Sequence, residues 1–264
     1  KTENGNYWRA YVFIDGAQTY ETAQTPEHFY SAAKAFARFQ RLLSDFPAGQ
    51  LYETIPDFHH TPKRFAALVQ ALERDARNRA RSVKAEIEFV EKRAADTSVL
   101  VDLLAQGQLP ERVTHNDTKF NNVMIDDKTG EGVCVVDLDT VMPGLSLYDF
   151  GDAVRSAANS AAEDERDISK VWFDLDVFDR LACGYLEIAR DFLTPTEVDY
   201  LPFAAWLMTF ECGMRFLTDH LNGDVYFKIH RENHNLDRCR TQFKMVADME
   251  KQMGQMEAII RKYR

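Results

Sequence analysis

His115, Asp117, Lys119 and Asn122 lie within one eight-residue polar stretch, and Asp137 and Asp139 follow it after a short interval. Val113-Thr114 is a β-branched run, so the chain enters this stretch from a strand. Val123-Met124-Ile125 then reads as a strand, Asp126 to Gly132 as a turn with its tip at Lys128-Thr129-Gly130, and Val133 to Val136 as the return strand. Folded about that tip, the hairpin brings Asn122 back opposite Asp137. A carboxylate and an amide oxygen side by side suit Mg2+, which prefers oxygen ligands and keeps water and phosphate oxygens in its shell. Asn122 and Asp137, with Asp139 beside them, are the expected metal ligands. Asp117 is a carboxylate able to orient and deprotonate a hydroxyl, and Lys119 a cation for a transferring phosphoryl group. His115, Asp117 and Lys119 are therefore the expected catalytic set, and the chemistry is phosphoryl transfer.

These residues also carry a resemblance. His-x-Asp-x-Lys-x-x-Asn is similar to the catalytic loop of the protein-kinase-like fold. The Asp-Leu-Asp-Thr at 137–140 and Leu147-Tyr148-Asp149-Phe150-Gly151-Asp152 resemble its aminoglycoside phosphotransferase branch. Within that branch, His-Asn-Asp-Thr-Lys and the later Arg215-Phe216-Leu217-Thr218-Asp219-His220 resemble the N-acetylhexosamine 1-kinases. The resemblance implies ATP and Mg2+ as cofactors, with phosphorylation of the anomeric hydroxyl of N-acetylglucosamine or N-acetylgalactosamine, a step of carbohydrate metabolism. It also implies that Phe13-Ile14-Asp15-Gly16 is the hinge that carries adenine, through backbone groups. The expected fold is α+β: a mainly helical kinase-like C-terminal lobe over 17–264 with a small catalytic hairpin, after an N-lobe hairpin and hinge over 1–16. The catalytic loop spans 113–139 and the helical substrate-binding part 148–264. The chain contains no G-x-G-x-x-G, so most of an ATP-clamping lobe is expected upstream, and this chain alone is expected to bind ATP weakly.

Asp149-Phe150-Gly151 spells a metal-binding tripeptide, but it lies beyond the hairpin and runs into a helix-like stretch, Asp152 to Ala162. By spacing, Asp137 takes the metal position, while Asp149 and Asp152 are expected to cap that helix and order the loop. Arg215, Asp219, His220, Asn222, Asp224, Tyr226, His230 and Arg231 crowd around Gly223. Sugars are held by multidentate hydrogen bonds and an aromatic face, so Arg215, Asp219, His220 and Tyr226 are the expected acceptor contacts.

The scaffold reads as helices. Thr25-Pro26 opens one, with Phe29, Ala32, Phe36, Phe39, Leu43 and Phe46 on one stripe, and Thr61-Pro62 opens a longer one running from Phe65 to Val90. Glu73–Arg77 and Asp75–Arg79 on its other face have ion-pair spacing, which marks a solvated face. His59 and His60, in the preceding loop, have no metal partner pattern and are expected on the surface. Thr194-Pro195-Thr196-Glu197 is a capping box, and Pro202 should restart the helix that follows. Asn4-Gly5 marks a hairpin turn before a strand from Tyr7 to Ile14.

The 264 residues, 45% hydrophobic and 12% aromatic, describe a globular chain with a sizeable core. A formal net charge of −10 argues against a general nucleic-acid surface. The sequence holds no run of about 18 apolar residues, so no membrane span is expected. Four dispersed cysteines without a CxxC fit free thiols in the cytoplasm. Oligomeric state leaves no mark. Other acceptors on the same fold (choline, homoserine, an aminoglycoside), a truncated, inactive binding module, and a D-x-D glycosyl transferase using Asp137-Leu138-Asp139 are the competing readings.

Overall fold

The hairpin expected after the polar loop is present. The computed structural model describes residues 1–21, 23 and 25–264. Strand β1 (Ala17–Gln18) pairs with β3 (Val123–Asp126), which pairs with β4 (Gly132–Val135), while β2 (Arg112–Thr114) pairs with β5 (Met142–Gly144), all antiparallel. Val123 faces Val135, and the Val136 N–H donates to the Asn122 carbonyl at 2.9 Å. Asn122 thus lies opposite Val136, one residue short of the expected Asp137. Gly130, with φ +71°, makes the turn, its N–H donating to the Asp126 carbonyl.

The helices are α1 (Pro26–Leu42), α2 (Thr61–Arg74), α3 (Lys84–Glu91), α4 (Val99–Ala105), α5 (Ser146–Ala157), α6 (Leu175–Ala189), α7 (Pro195–Asp199), α8 (Leu201–Asn222) and α9 (His234–Tyr263). Proline stands in the first turn of α1, α2, α7 and α8, where its fixed φ helps and no N–H is missed. The Thr194–Glu197 capping box closes reciprocally, and the chain restarts at Pro202 as expected. The architecture is α+β, dominated by helices. One core joins α5, α6, α8 and α9 through Leu147, Phe150, Phe178, Tyr185, Phe210 and Met245, all buried. A smaller cluster of Phe36, Phe120, Val123 and Ile125 seats the hairpin on α1. The helix pairs approach closely where side chains vanish: a Cβ on Gly151 of α5 would stand 2.4 Å from the Ala204 carbonyl of α8.

Several expectations are corrected. The long helix through Val90 is broken at Asp75, whose left-handed backbone (φ +35°) ends α2 and whose Oδ1 accepts the N–H groups of Arg79 (2.7 Å) and Ala80 (3.1 Å). The helix-spaced pairs vanish with it, and Arg79 reaches across to Asp224 at 2.6 Å. Helix α1 ends at Leu42, leaving Phe46 exposed. The helix expected over 152–162 is α5, so Asp149 and Asp152 lie inside it. The Asn4-Gly5 turn forms, its Gly5 N–H bonded to the Thr2 carbonyl, but Tyr7 to Ile14 lies outside any strand. His59 is buried at 7% exposure, not on the surface.

Candidate active site

The loop between β2 and β3 gathers the candidate catalytic side chains, and buried groups shape it. Asn116 adopts a left-handed backbone, φ +65°, which asparagine tolerates better than most residues with a side chain, one position before Asp117. Two N–H groups of this bend point at one carboxylate: His115 N donates to Asp149 Oδ2 at 2.9 Å and Asn116 N to Oδ1 at 2.7 Å. Gln40 adds a third bond at 2.7 Å. Burial pushes the Asp149 carboxyl above the usual carboxylate range, with His115 and the loop N–H groups opposing it. Asp149 therefore orders the loop, as expected, but it caps no helix.

His115 is completely buried, edge-on to Phe36 and Phe39. Its Nε2 lies 2.9 Å from the Val136 carbonyl, while its Nδ1 accepts the Asp117 N–H at 3.3 Å. It supports the loop from beneath and does not line the cavity into which Asp117 opens. Lys119 Nζ lies 3.1 Å from Asp117 Oδ2, and the Asn122 amide donates to the Asp117 carbonyl (2.7 Å) and to Oδ2 (3.1 Å). Asp117, Lys119 and Asn122 are thus one cluster.

Asn122 spends its amide N–H2 on Asp117, so its Oδ1 is the atom of that side chain able to ligate a cation. Asp137 begins the short turn at 138–140 with a left-handed backbone (φ +60°), and its carboxylate takes no hydrogen bond or ion pair from a described residue. Asp137 follows Val136, the residue that pairs with Asn122, and a carboxylate and an amide oxygen are ligand types that suit a hard divalent cation bringing its own waters and phosphates. Asp139 is engaged otherwise, by the Arg9 guanidinium. Among the described residues no three His, Cys, Asp or Glu side chains form a metal cage.

Asp117 and Lys119 open into a cavity of about 330 Å³ whose far wall is α8. Arg215 lines it, its guanidinium 5.0 Å from the Phe58 ring and 5.6 Å from the Phe227 ring, with no hydrogen bond or ion pair to a described residue. Asp152 and Arg155 form a buried pair at 2.7 Å on the floor. Burial raises the Asp152 carboxyl, but Arg155 and His59 outweigh it and hold it below its usual range. Glu211, beside Arg215, is 1% exposed and binds His59 (2.9 Å) and Thr61 (2.6 Å).

The other expected acceptor contacts are elsewhere. Asp219 is buried and accepts the N–H groups of Val225, Tyr226 and Phe227, so it holds the loop that presents Phe227. His220 is buried against Arg79. Tyr226 is exposed and, with Arg215, borders a separate cleft beside α2. Phe13 is exposed, and the Asp15-Gly16 turn is tied to the hairpin by the Asp127 N–H, 2.8 Å from the Gly16 carbonyl. Arg155 and Glu211 escaped the sequence reading, and Asp152, expected as a helix cap, lines the cavity instead; an acid inside the apolar run of α8 was a signal for Glu211. His59 carried none.

Residues 1–182 match the phosphotransferase enzyme family, APH. The chain belongs to that family. A solved structure similar to it is that of the microcompartment-associated aminopropanol kinase, 15% identical with a TM-score of 0.50, covering 93% of this chain and 68% of that one. At that identity the likeness speaks for the fold, which is kinase-like. Family and site together make the protein a small-molecule phosphotransferase, and the family implies ATP and a divalent metal in general. No helix among the described residues is long and apolar enough to cross a membrane.

Proposed function

We propose that this phosphotransferase moves the γ-phosphoryl group of ATP to the C1 hydroxyl of an N-acetylhexosamine. The observation that carries the reading is Arg215. A guanidinium with its donors unused, held between two aromatic rings across one cavity from Asp117, offers the charge-assisted bonds and apolar faces that a sugar requires. An aminoglycoside, a polycation, would meet that unpaired positive charge. The finer choice of N-acetylhexosamine and of C1 rests on the resemblance around Arg215.

Asp117 orients the acceptor hydroxyl and takes its proton as the oxygen bonds to phosphorus, while the bond from phosphorus to the ADP oxygen breaks. An anomeric hydroxyl is more acidic than an ordinary alcohol, so an ordinary carboxylate suffices. Lys119 faces the charge on the transferring group. Asn122 and Asp137 would hold Mg2+, which neutralises phosphate charge when bound. Backbone groups of Phe13 to Gly16 would receive adenine.

Steady-state kinetics test these roles. Asp117→Asn should lower kcat by roughly 10²–10⁴ with little change in sugar KM. Arg215→Ala should raise sugar KM by about tenfold or more and leave the KM for ATP nearly unchanged. The reverse assignment of effects would refute the roles.

A further inference from the structure

His59 is a buried histidine whose two ring nitrogens both face oxygens that can only accept. Nδ1 lies 2.9 Å from Glu211 Oε1 on α8, and Nε2 lies 3.1 Å from the Asn116 carbonyl in the catalytic loop. Both bonds exist together only if each nitrogen carries a proton; a neutral ring satisfies one of them. Glu211 gives its second oxygen to Thr61 at 2.6 Å, so it is fully used in holding the ring and the start of α2.

The carbonyl that His59 reaches belongs to the left-handed residue, Asn116. The Asn116 N–H is fixed by Asp149 at 2.7 Å and its side-chain amide by the Thr140 carbonyl at 3.0 Å. The carbonyl is the remaining polar group of that residue, and it sets the plane of the peptide leading into Asp117. Glu211 and Arg215 stand one helical turn apart on α8, so the helix that presents Arg215 also reaches the peptide before Asp117.

We propose that His59 is a positioning residue, clamped by Glu211, whose hydrogen bond to the Asn116 carbonyl fixes the peptide leading into Asp117 and aims the Asp117 carboxylate into the acceptor cavity. The kinetic part of its test rests on the phosphotransfer reading above; the structural part does not. Asparagine places its amide nitrogen near Nδ1, so His59→Asn keeps the bond to Glu211 and loses the bond to the loop. Glutamine reaches the position of Nε2, so His59→Gln keeps the loop bond and loses Glu211.

Amide hydrogen exchange over residues 114–119, read by mass spectrometry, should quicken about tenfold in His59→Asn and stay within about threefold of wild type in His59→Gln. In parallel, kcat should fall about tenfold or more in His59→Asn, with acceptor KM within about threefold, and be largely retained in His59→Gln. If His59 served only to hold Glu211 by a hydrogen bond, the order of the two variants would invert, because asparagine preserves that bond. Unchanged loop exchange in His59→Asn also overturns the proposal. Exchange needs no turnover, so a wild type that phosphorylates no sugar would count against the substrate reading and leave the exchange result to decide this one.

Discussion

Replacing Asp149 by asparagine separates loop ordering from metal binding. Its Oδ2 accepts from His115 N and Gln40 Nε2, and its Oδ1 from Asn116 N. Asparagine keeps one acceptor oxygen. Placed where Oδ2 was, that oxygen retains two bonds, while the new amide N–H2 faces the Asn116 N–H, leaving a buried donor unmet at a cost of about 1–3 kcal/mol. Burial already acts against the charged carboxyl, so removing the charge returns part of that penalty and keeps the total within this range. For a chain of this size the melting temperature should drop by roughly 2–10 °C. Thermal denaturation followed by circular dichroism reads this directly, and kcat should fall as Asn116 loosens ahead of Asp117. An unchanged Tm together with lost Mg2+ binding would refute the reasoning and move the metal to Asp149.

Three further outcomes follow from the same geometry. Asp137→Asn should keep Tm nearly unchanged, because its carboxylate has no partner among the described residues and asparagine tolerates a left-handed backbone, yet cut turnover by roughly 10² or more; a large Tm loss would contradict this. Gly151→Ala should cost about 1–3 kcal/mol in chemical denaturation by pushing α5 off the Ala204 carbonyl, whereas Gly254→Ala, which meets nothing within 4 Å, should stabilise by up to about 1 kcal/mol. Burial and the neighbouring Arg79 hold His220 below the usual histidine range. The unfolded state therefore binds more protons below about pH 6.5, and the contribution, complete above that pH, is lost as pH falls through the folded value. Urea denaturation at pH 7 and pH 5.5 should show lower stability at 5.5, with a smaller difference in His220→Gln; stability rising on acidification would refute it.

How legible each part was depended on whether its cause was local. The hairpin was readable because β-branched runs flank a turn-rich stretch, and the Thr194 capping box because both of its bonds lie within four residues. Asp117, Lys119 and Asn122 could be grouped from spacing alone, since loop and hairpin fix them locally. The break at Asp75 was hidden: the apolar stripe continues through it, and only the side-chain bonds to Arg79 and Ala80 show that helix gives way to a turn. His59 and Glu211 are 152 residues apart, so no local pattern could pair them. Asp219 and His220 have the polar character of a sugar site, but their partners are the loop backbone and Arg79.

The central claim is settled most directly by phosphorus NMR of the protein with magnesium, ATP and N-acetylglucosamine or N-acetylgalactosamine. The account predicts a new sugar phosphate signal coupled to the anomeric proton, formed as ADP appears and suppressed in Asp117→Asn. ATP consumed only with choline, homoserine or an aminoglycoside, or phosphate appearing on a hydroxyl other than C1, would contradict it.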